Sequence, residues 1–388
     1  LEAWDTPRLY QPTDETASRY QPRVPGEKAW RSSGGLKCPT GGRTAQKRGK
    51  PISLIIASAG ERTRTTALEG AGPRRAPKTA SSAIEIAFVN NMPSSAFDAT
   101  EEQFAGLLKS AADELGATVR FSRYALPGLE RSAEVQQRLA RDYCPVELIY
   151  AERPDGLVIT GTEPLAEDLR AEPYWDALAE LICWAESATA SAVVSCLAAH
   201  AAALIFDGIE RETLATKCSG VFVQDVRADH VLTAGLGATV TMPHSRLNDL
   251  PSSLMGKGGY TNLIESAEMN WTVAVKERAS CSFVLVQGHP EYSTTSLLRE
   301  YRRDMQRFLR AERSAVPTIP VGYLDPEGQK LLESFEARAL VKPLDSDLMN
   351  EFPFEAVAAR LVNTWRSSGT RFYANWLRLI QLRRQHSA

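Results

Sequence analysis

The run Val193-Val194-Ser195-Cys196-Leu197-Ala198-Ala199-His200-Ala201-Ala202-Ala203 constrains this chain more than any other stretch. Ala192 through Ser195 are small or β-branched, as suits the end of a buried strand, and the alanine-rich run after Cys196 has strong helix propensity. Cys196 therefore falls at a strand-to-helix turn. Such a turn lifts a side chain above the sheet edge and sets it at a helix N-terminus, where unpaired N–H groups and the helix dipole favour a thiolate. Lowering a thiol pKa from about 8.5 to roughly 6.5 takes the thiolate at neutral pH from a few per cent to a majority. Cysteines are more often buried and structural than reactive, so the turn alone leaves both readings open.

A second stretch, Ser282-Phe283-Val284-Leu285-Val286-Gln287-Gly288-His289-Pro290-Glu291-Tyr292, favours the reactive one. It starts as an apolar strand, ends in Gly288, and then presents His289 and Glu291 two residues apart with Pro290 fixing φ between them. In an extended segment the two side chains face the same way. A cysteine nucleophile needs this pair: His289 as base, and Glu291 to hold its tautomer and stabilise the imidazolium. A Cys–His–Glu triad is the expectation.

Strand-like and helix-like segments alternate from residue 84 onward. Ile84 to Val89, Thr118 to Ser122 and Asp155 to Thr162 read as strands, whereas Ala99 to Leu115, Ala133 to Asp142 and Tyr174 to Glu186 read as helices. This alternation predicts a parallel sheet with helices on both faces, and the strand ends bearing Thr162 and Cys196 at one edge. A more β-rich section follows, then a long helix, about Thr295 to Arg313, and a mostly helical C-terminal portion. With 388 residues and 43% hydrophobic content the chain can build a substantial core. A net charge of −2 argues against a general nucleic-acid binder. No apolar run approaches the roughly 18 residues of a membrane span. The six cysteines show no C-x-x-C spacing, which speaks against a metal site or a disulfide framework and fits a reduced, cytoplasmic setting.

Residues 1–80 differ from the rest. They carry fifteen Lys and Arg against seven Asp and Glu, with many Pro, Gly, Ser and Thr residues and no sustained periodicity. They read as a disordered basic extension ahead of a catalytic domain at 81–388, whose helical segment 314–388 packs on it. Glu2, Asp5, Asp14 and Glu15 are too acidic for an organelle transit peptide. The alternative for this region is that Ile52 to Ala57, its one strand-like piece, adds an edge strand beside Ile84 to Val89.

Taken together, the motifs resemble the homoserine O-acyltransferases of methionine biosynthesis. The matching pieces are Asn91-Met92-Pro93 with Glu101 to Leu108, Asp155 to Gly161, Tyr174-Trp175, Cys196, Lys217 with Ser219-Gly220-Val221, and Pro243-His244-Ser245-Arg246. Gly288-His289-Pro290-Glu291-Tyr292, Asn363-Thr364-Trp365-Arg366 and Asn375-Trp376-Leu377 complete the series in the family's order. The resemblance implies a flavodoxin-like, three-layer α/β fold with a parallel sheet of the class I glutamine amidotransferase type and a helical C-terminal portion. It implies that Cys196 is the acylated nucleophile, His289 the general base and Glu291 its orienting partner. Lys217 and Ser245 would lie near the amino-acid substrate, and Arg303 would grip its carboxylate, for which a forked guanidinium is suited. His244 and Arg246 could instead brace their loop, and His200 reads as a packed histidine rather than a second base.

The implied reaction is ping-pong transfer of an acyl group from acyl-coenzyme A to the hydroxyl of L-homoserine. It calls for no metal and no cofactor beyond the acyl-CoA co-substrate. The expected partners are succinyl-CoA or acetyl-CoA and L-homoserine, with no nucleic acid or membrane, and a homodimer is a candidate assembly. The C-terminal helices are expected to cover the site against water. In the family, a position shortly after the Thr-Gly turn tends to be glycine in succinyl-using members and glutamate in acetyl-using ones. Here it falls on Leu165 or, allowing one inserted residue, on Ala166, whose small uncharged side chain favours succinyl. The rival readings are a glutamine amidotransferase-type hydrolase, whose usual G-x-C-x-G elbow the residues around Cys196 do not match, and a non-catalytic relative.

Overall fold

Strands that are apolar on both faces need helices on both faces, and the centre of this chain is made of such strands. The structure, a computed structural model, describes residues 53–57, 83–342 and 344–386. All of these belong to the compact unit Lys50–Ala388, and the other unit, Leu1–Gly49, lies outside the described residues. In chain order the elements are β1 (Leu54–Ile56), β2 (Ile84–Val89), α1 (Phe97–Leu115), β3 (Val119–Tyr124), α2 (Ala133–Asp142), α3 (Glu147–Glu152) and β4 (Gly156–Ile159). Next come α4 (Trp175–Ala188), β5 (Ser191–Ser195), α5 (Leu197–Asp207), β6 (Glu212–Val226), β7 (Thr239–Asp249), α6 (Ser252–Lys257), β8 (Thr261–Ser266) and β9 (Asn270–Arg278). The chain closes with β10 (Cys281–Val286), α7 (Ser296–Leu309), α8 (Pro326–Val341), α9 (Phe354–Ala358) and α10 (Arg366–His386).

The strands form one sheet in the order β1-β3-β2-β4-β5-β10-β9-β8-β6-β7. It is parallel from β1 through β10 and antiparallel beyond. Every residue of β4, β5 and β10 is buried, and the pleat divides them between two cores. Leu157, Ile159, Ala192, Val194, Phe283 and Leu285 pack with α4 and α5, whereas Val158, Val193, Val284 and Val286 pack with α1 and α10. This is the expected flavodoxin-like sandwich of three layers. From β2 the chain passes first to β3 on one side and later to β4 on the other, so a crevice opens at the carboxyl ends of β2 and β4. The ends of β5 and β10 lie on the same edge.

Among the described residues none of α8, α9 or α10 lines the cleft at that edge, although α10 begins against the turn after β10, where a Cβ on Gly369 would come within 3.1 Å of Pro290. Instead α10 buries Phe372, Tyr373, Trp376, Leu377 and Ile380 against the sheet, with Trp376 Nε1–H donating to Ser191 Oγ at 2.9 Å. A stripe of five large apolar residues is what the face beside α1 needs to be shielded from water. Helices α8 and α9 build a separate core with α7 around Leu298, Met305, Leu332, Phe335, Val357 and Trp365. Among the described residues no helix is long and apolar enough to cross a membrane.

The extension also needs correction. Leu54–Ile56 pairs in parallel with Val119–Phe121; Ala57 N–H donates to Phe121 O at 3.0 Å and Val119 N–H to Ser53 O at 2.7 Å. The strand-like alternative is therefore realised, with β3 rather than β2 as partner. Composition obscured it because the strand is short and leaves Ile55 and Ile56 exposed. The rest of 1–80 lies outside the described residues. Starting the chain at Ser81 would remove the bonds between β1 and β3, each worth about 0.5–1.5 kcal/mol. Calorimetry should then show a lower thermal midpoint with unchanged kcat/KM, since no β1 residue lines the cleft described next. An unchanged midpoint would show that β1 adds nothing to stability.

Candidate active site

Cys196 occupies a backbone conformation that few residues other than glycine adopt, φ 52° and ψ −114°, at the N-cap of α5. Its own N–H donates to Val286 O on β10 at 2.7 Å, which fastens the elbow to the neighbouring strand. Gly161, just after β4, lies against the same elbow. A Cβ there would come within 2.8 Å of Leu197 N, so only glycine allows the two backbones to approach. Leu197 N–H, in the first turn of α5, has no intrahelical acceptor. It is therefore available to the oxyanion of a tetrahedral adduct whose carbon is bonded to the sulfur of Cys196.

His289 and Glu291 meet through a tight turn, not through the extended segment the sequence suggested. Tyr292 N–H donates to His289 O at 3.2 Å, closing a β-turn with Pro290 in its second position. His289 Nδ1 lies 2.8 Å from Glu291 Oε1, and the ring shares a further hydrogen bond with Cys196. Burial pushes this imidazole down. The charge of Glu291, the bond to Cys196 and the bond to Glu291 outweigh that effect and hold its pKa well above the usual value. The turn is braced on all sides. His289 N–H donates to Pro243 O at 2.8 Å, and Gly288 lets Met242 and His244 press against the strand end. Trp365 Nε1–H donates to Tyr292 O at 3.0 Å. The Tyr292 ring stacks on the imidazole with centroids 4.3 Å apart and planes 17° from parallel.

A cleft of about 1130 Å³ opens above these groups, and Cys196, His289, Glu291, Lys217, Ser245 and Arg303 all line it. Lys217 Nζ donates to Asp304 Oδ2 at 2.8 Å. Arg303 donates through Nε and Nη2 to Asp304 Oδ1 at 3.1 and 3.0 Å. Burial pushes the Asp304 carboxyl up, but Lys217 and Arg303 hold it below its ordinary value. Ser245 and Tyr292 both donate to Glu300, the latter at 2.5 Å. Glu300 and Asp304 escaped the sequence reading, and Tyr292 stood in its motif without a part assigned. A signal existed, because 300, 303, 304 and 307 share one helix face by their spacing. With both signs of charge on one wall, the cleft suits an amino-acid zwitterion.

Other expected residues lie elsewhere or play other parts. His200 Nε2 is 2.8 Å from Gln287 Oε1, and burial pushes its imidazole down to about 4. His244 is fully buried against Gln224 at 2.7 Å, and burial depresses it well below the usual value. Arg246 pairs with Asp249 at 2.8 Å and reaches Met269 O at 3.1 Å, in the manner of a brace. Leu165 and Ala166 do not line the cleft, and Leu165 is 86% exposed. Their N–H groups both donate to the buried carboxylate of Glu172, at 2.6 and 2.7 Å, which turns the loop outward. Thr162, Glu163 and Pro164 face the cleft in their place. Of the other described cysteines, Cys183, Cys218 and Cys281 are pushed up by burial, Cys281 to about 12.

The sequence profile described as homoserine O-succinyltransferase matches residues 59–386 of this chain. A homoserine O-succinyltransferase of Rhodopseudomonas palustris is 40% identical over 294 residues, 76% of this chain and 87% of that protein. One from Bradyrhizobium japonicum is 42% identical over 270 residues, 70% of this chain and 82% of that protein. Among solved structures, a glutamine amidotransferase from Methylobacillus flagellatus is similar, with a TM-score of 0.45 and 16% identity, covering 77% of this chain and 96% of that one.

Proposed function

We propose, from the premise that the chain belongs to the homoserine O-succinyltransferase family, that Cys196, His289 and Glu291 perform its reaction by ping-pong acyl transfer. The chain is an enzyme that acylates the hydroxyl of L-homoserine with succinyl-CoA as donor, a step of methionine biosynthesis. The single observation that supports the residue assignment is the His289 imidazole, bonded on one side to Glu291 and on the other to the strained Cys196.

In the first half-reaction the sulfur of Cys196 attacks the thioester carbonyl and its proton passes to His289. The resulting oxyanion faces Leu197 N–H. Collapse breaks the bond to coenzyme A, whose thiolate leaves with the proton from His289. In the second half-reaction His289 takes the hydroxyl proton of homoserine, whose oxygen attacks the succinyl-enzyme, and collapse returns the proton to the sulfur. Charge on Cys196 is one of the influences that raise the imidazole. Acylation cancels that charge and leaves His289 a readier base when homoserine arrives. Arg303 and Lys217 suit the substrate carboxylate, and Glu300 its ammonium group. The segment 312–318, which contributes to the cleft wall, stands where the C-terminal helices were expected to exclude water. Coenzyme A thioesters are cytoplasmic metabolites, so the cytoplasm is the proposed compartment.

Replacing Glu291 tests the orienting role. Its carboxylate raises the imidazole, and a base works only when deprotonated, so Glu291→Gln should move the acidic limb of the kcat/KM profile for homoserine to lower pH. A limb that stays in place would separate Glu291 from the base. The reaction itself is tested by steady-state kinetics with succinyl-CoA and L-homoserine, with parallel double-reciprocal lines and O-succinylhomoserine as product. Glutaminase activity without acyl transfer would favour the hydrolase reading instead.

A further inference from the structure

Glu163 and Arg307 form an ion pair in the cleft that neither the triad nor the amino-acid site uses. Arg307 donates through Nη1 to Glu163 Oε1 at 2.9 Å and through Nη2 to Oε2 at 3.3 Å, a fork meeting a fork. Glu163 stands two residues beyond Gly161, the glycine packed against the nucleophile elbow. Arg307 stands one turn beyond Arg303 on α7. The pair therefore joins the segment that follows Gly161 to the helix that carries the substrate arginine, and both residues line the cleft. Among the described residues Glu163 is the one ion-pair partner of Arg307.

We propose that Arg307 is the counter-charge for the distal carboxylate of the succinyl donor, and that Glu163 is the carboxylate that yields it. This inference rests on the succinyl reading above. A succinyl group attached to Cys196 carries a carboxylate into a cleft that already holds Glu291, Glu300 and Asp304. An unpaired charge there is unfavourable, and these neighbours repel it. Arg303 and Lys217 are committed to Asp304 and to the homoserine carboxylate. Arg307 has no such commitment. Its pair with Glu163 is open to water, with the side chains 37% and 51% exposed, so it holds weakly. Exchanging one carboxylate for another on the same guanidinium keeps the number of hydrogen bonds constant. An acetyl group offers nothing to exchange and leaves the pair closed. Discrimination then resides at Glu163 and Arg307, which face the cleft, and not at Leu165 or Ala166, which do not.

The test measures kcat/KM for succinyl-CoA and acetyl-CoA, at saturating homoserine, in the full chain and in Arg307→Gln, Arg307→Lys and Glu163→Gln, with thermal midpoints as a folding check. Arg307→Gln should lower the succinyl value about 10- to 100-fold and change the acetyl value less than about threefold. Arg307→Lys should recover part of the succinyl value, and Glu163→Gln should lower the KM for succinyl-CoA. Equal losses with both donors would overturn the proposal and assign Arg307 to the phosphates of coenzyme A or to folding. A parent chain that transfers acetyl but not succinyl would overturn it as well. A parent chain that transfers neither would instead count against the proposed function.

Discussion

Cys196→Ala is expected to abolish succinyl transfer, with kcat falling by roughly 10⁴ or more, because among the described residues Cys196 is the one thiol that lines the cleft and can carry the acyl chain between the two substrates. Removing the nucleophile of a ping-pong enzyme removes both half-reactions at once. The variant should still fold. Alanine keeps the Cβ, and the bond from the backbone at 196 to Val286 O does not depend on the side chain. A normal thermal midpoint with absent turnover is the expected pair of results. Turnover near the parent level would mean that the acyl group passes directly from coenzyme A to homoserine, and the elbow would then be structural.

His289→Ala is the second large effect, a loss of about 10² to 10⁴ in kcat, the usual contribution of a positioned acid–base group. Both half-reactions pass a proton through this ring, so kcat/KM for each substrate should fall. The variant leaves a ring-shaped gap bounded by Glu291 on one side and the face of Tyr292 on another. Added imidazole should enter it and restore part of the rate. Parental activity without rescue would refute His289 as the base. Glu291→Gln should cost less than His289→Ala, because an amide oxygen can still accept from Nδ1 and the imidazole remains in place.

The legible parts of this chain are those set by local pattern. The run ending at Cys196 announced its strand-to-helix turn through small β-branched residues followed by alanines, and β10 announced itself through a continuous apolar run. Helix α7 was visible by period, and Arg303 by motif. What escaped depended on contacts distant in sequence. The apolar stripe of α10 could be read, yet nothing local specified that it would dock beside α1 and leave the cleft to residues 312–318. The outward course of Leu165 and Ala166 is set by Glu172, and the pairing of β1 by an exposed edge of β3. Spacing in sequence placed His289 and Glu291 together correctly but by the wrong geometry, since a strand and a β-turn both bring residues i and i+2 to one side.

The most direct test of the central claim is the intact mass of the protein after brief exposure to succinyl-CoA without homoserine, followed by peptide mapping. A gain of one succinyl group, located on Cys196 and lost on adding homoserine as O-succinylhomoserine appears, is the predicted result. An adduct confined to Cys183 or Cys218, or steady turnover with no adduct at all, would contradict it.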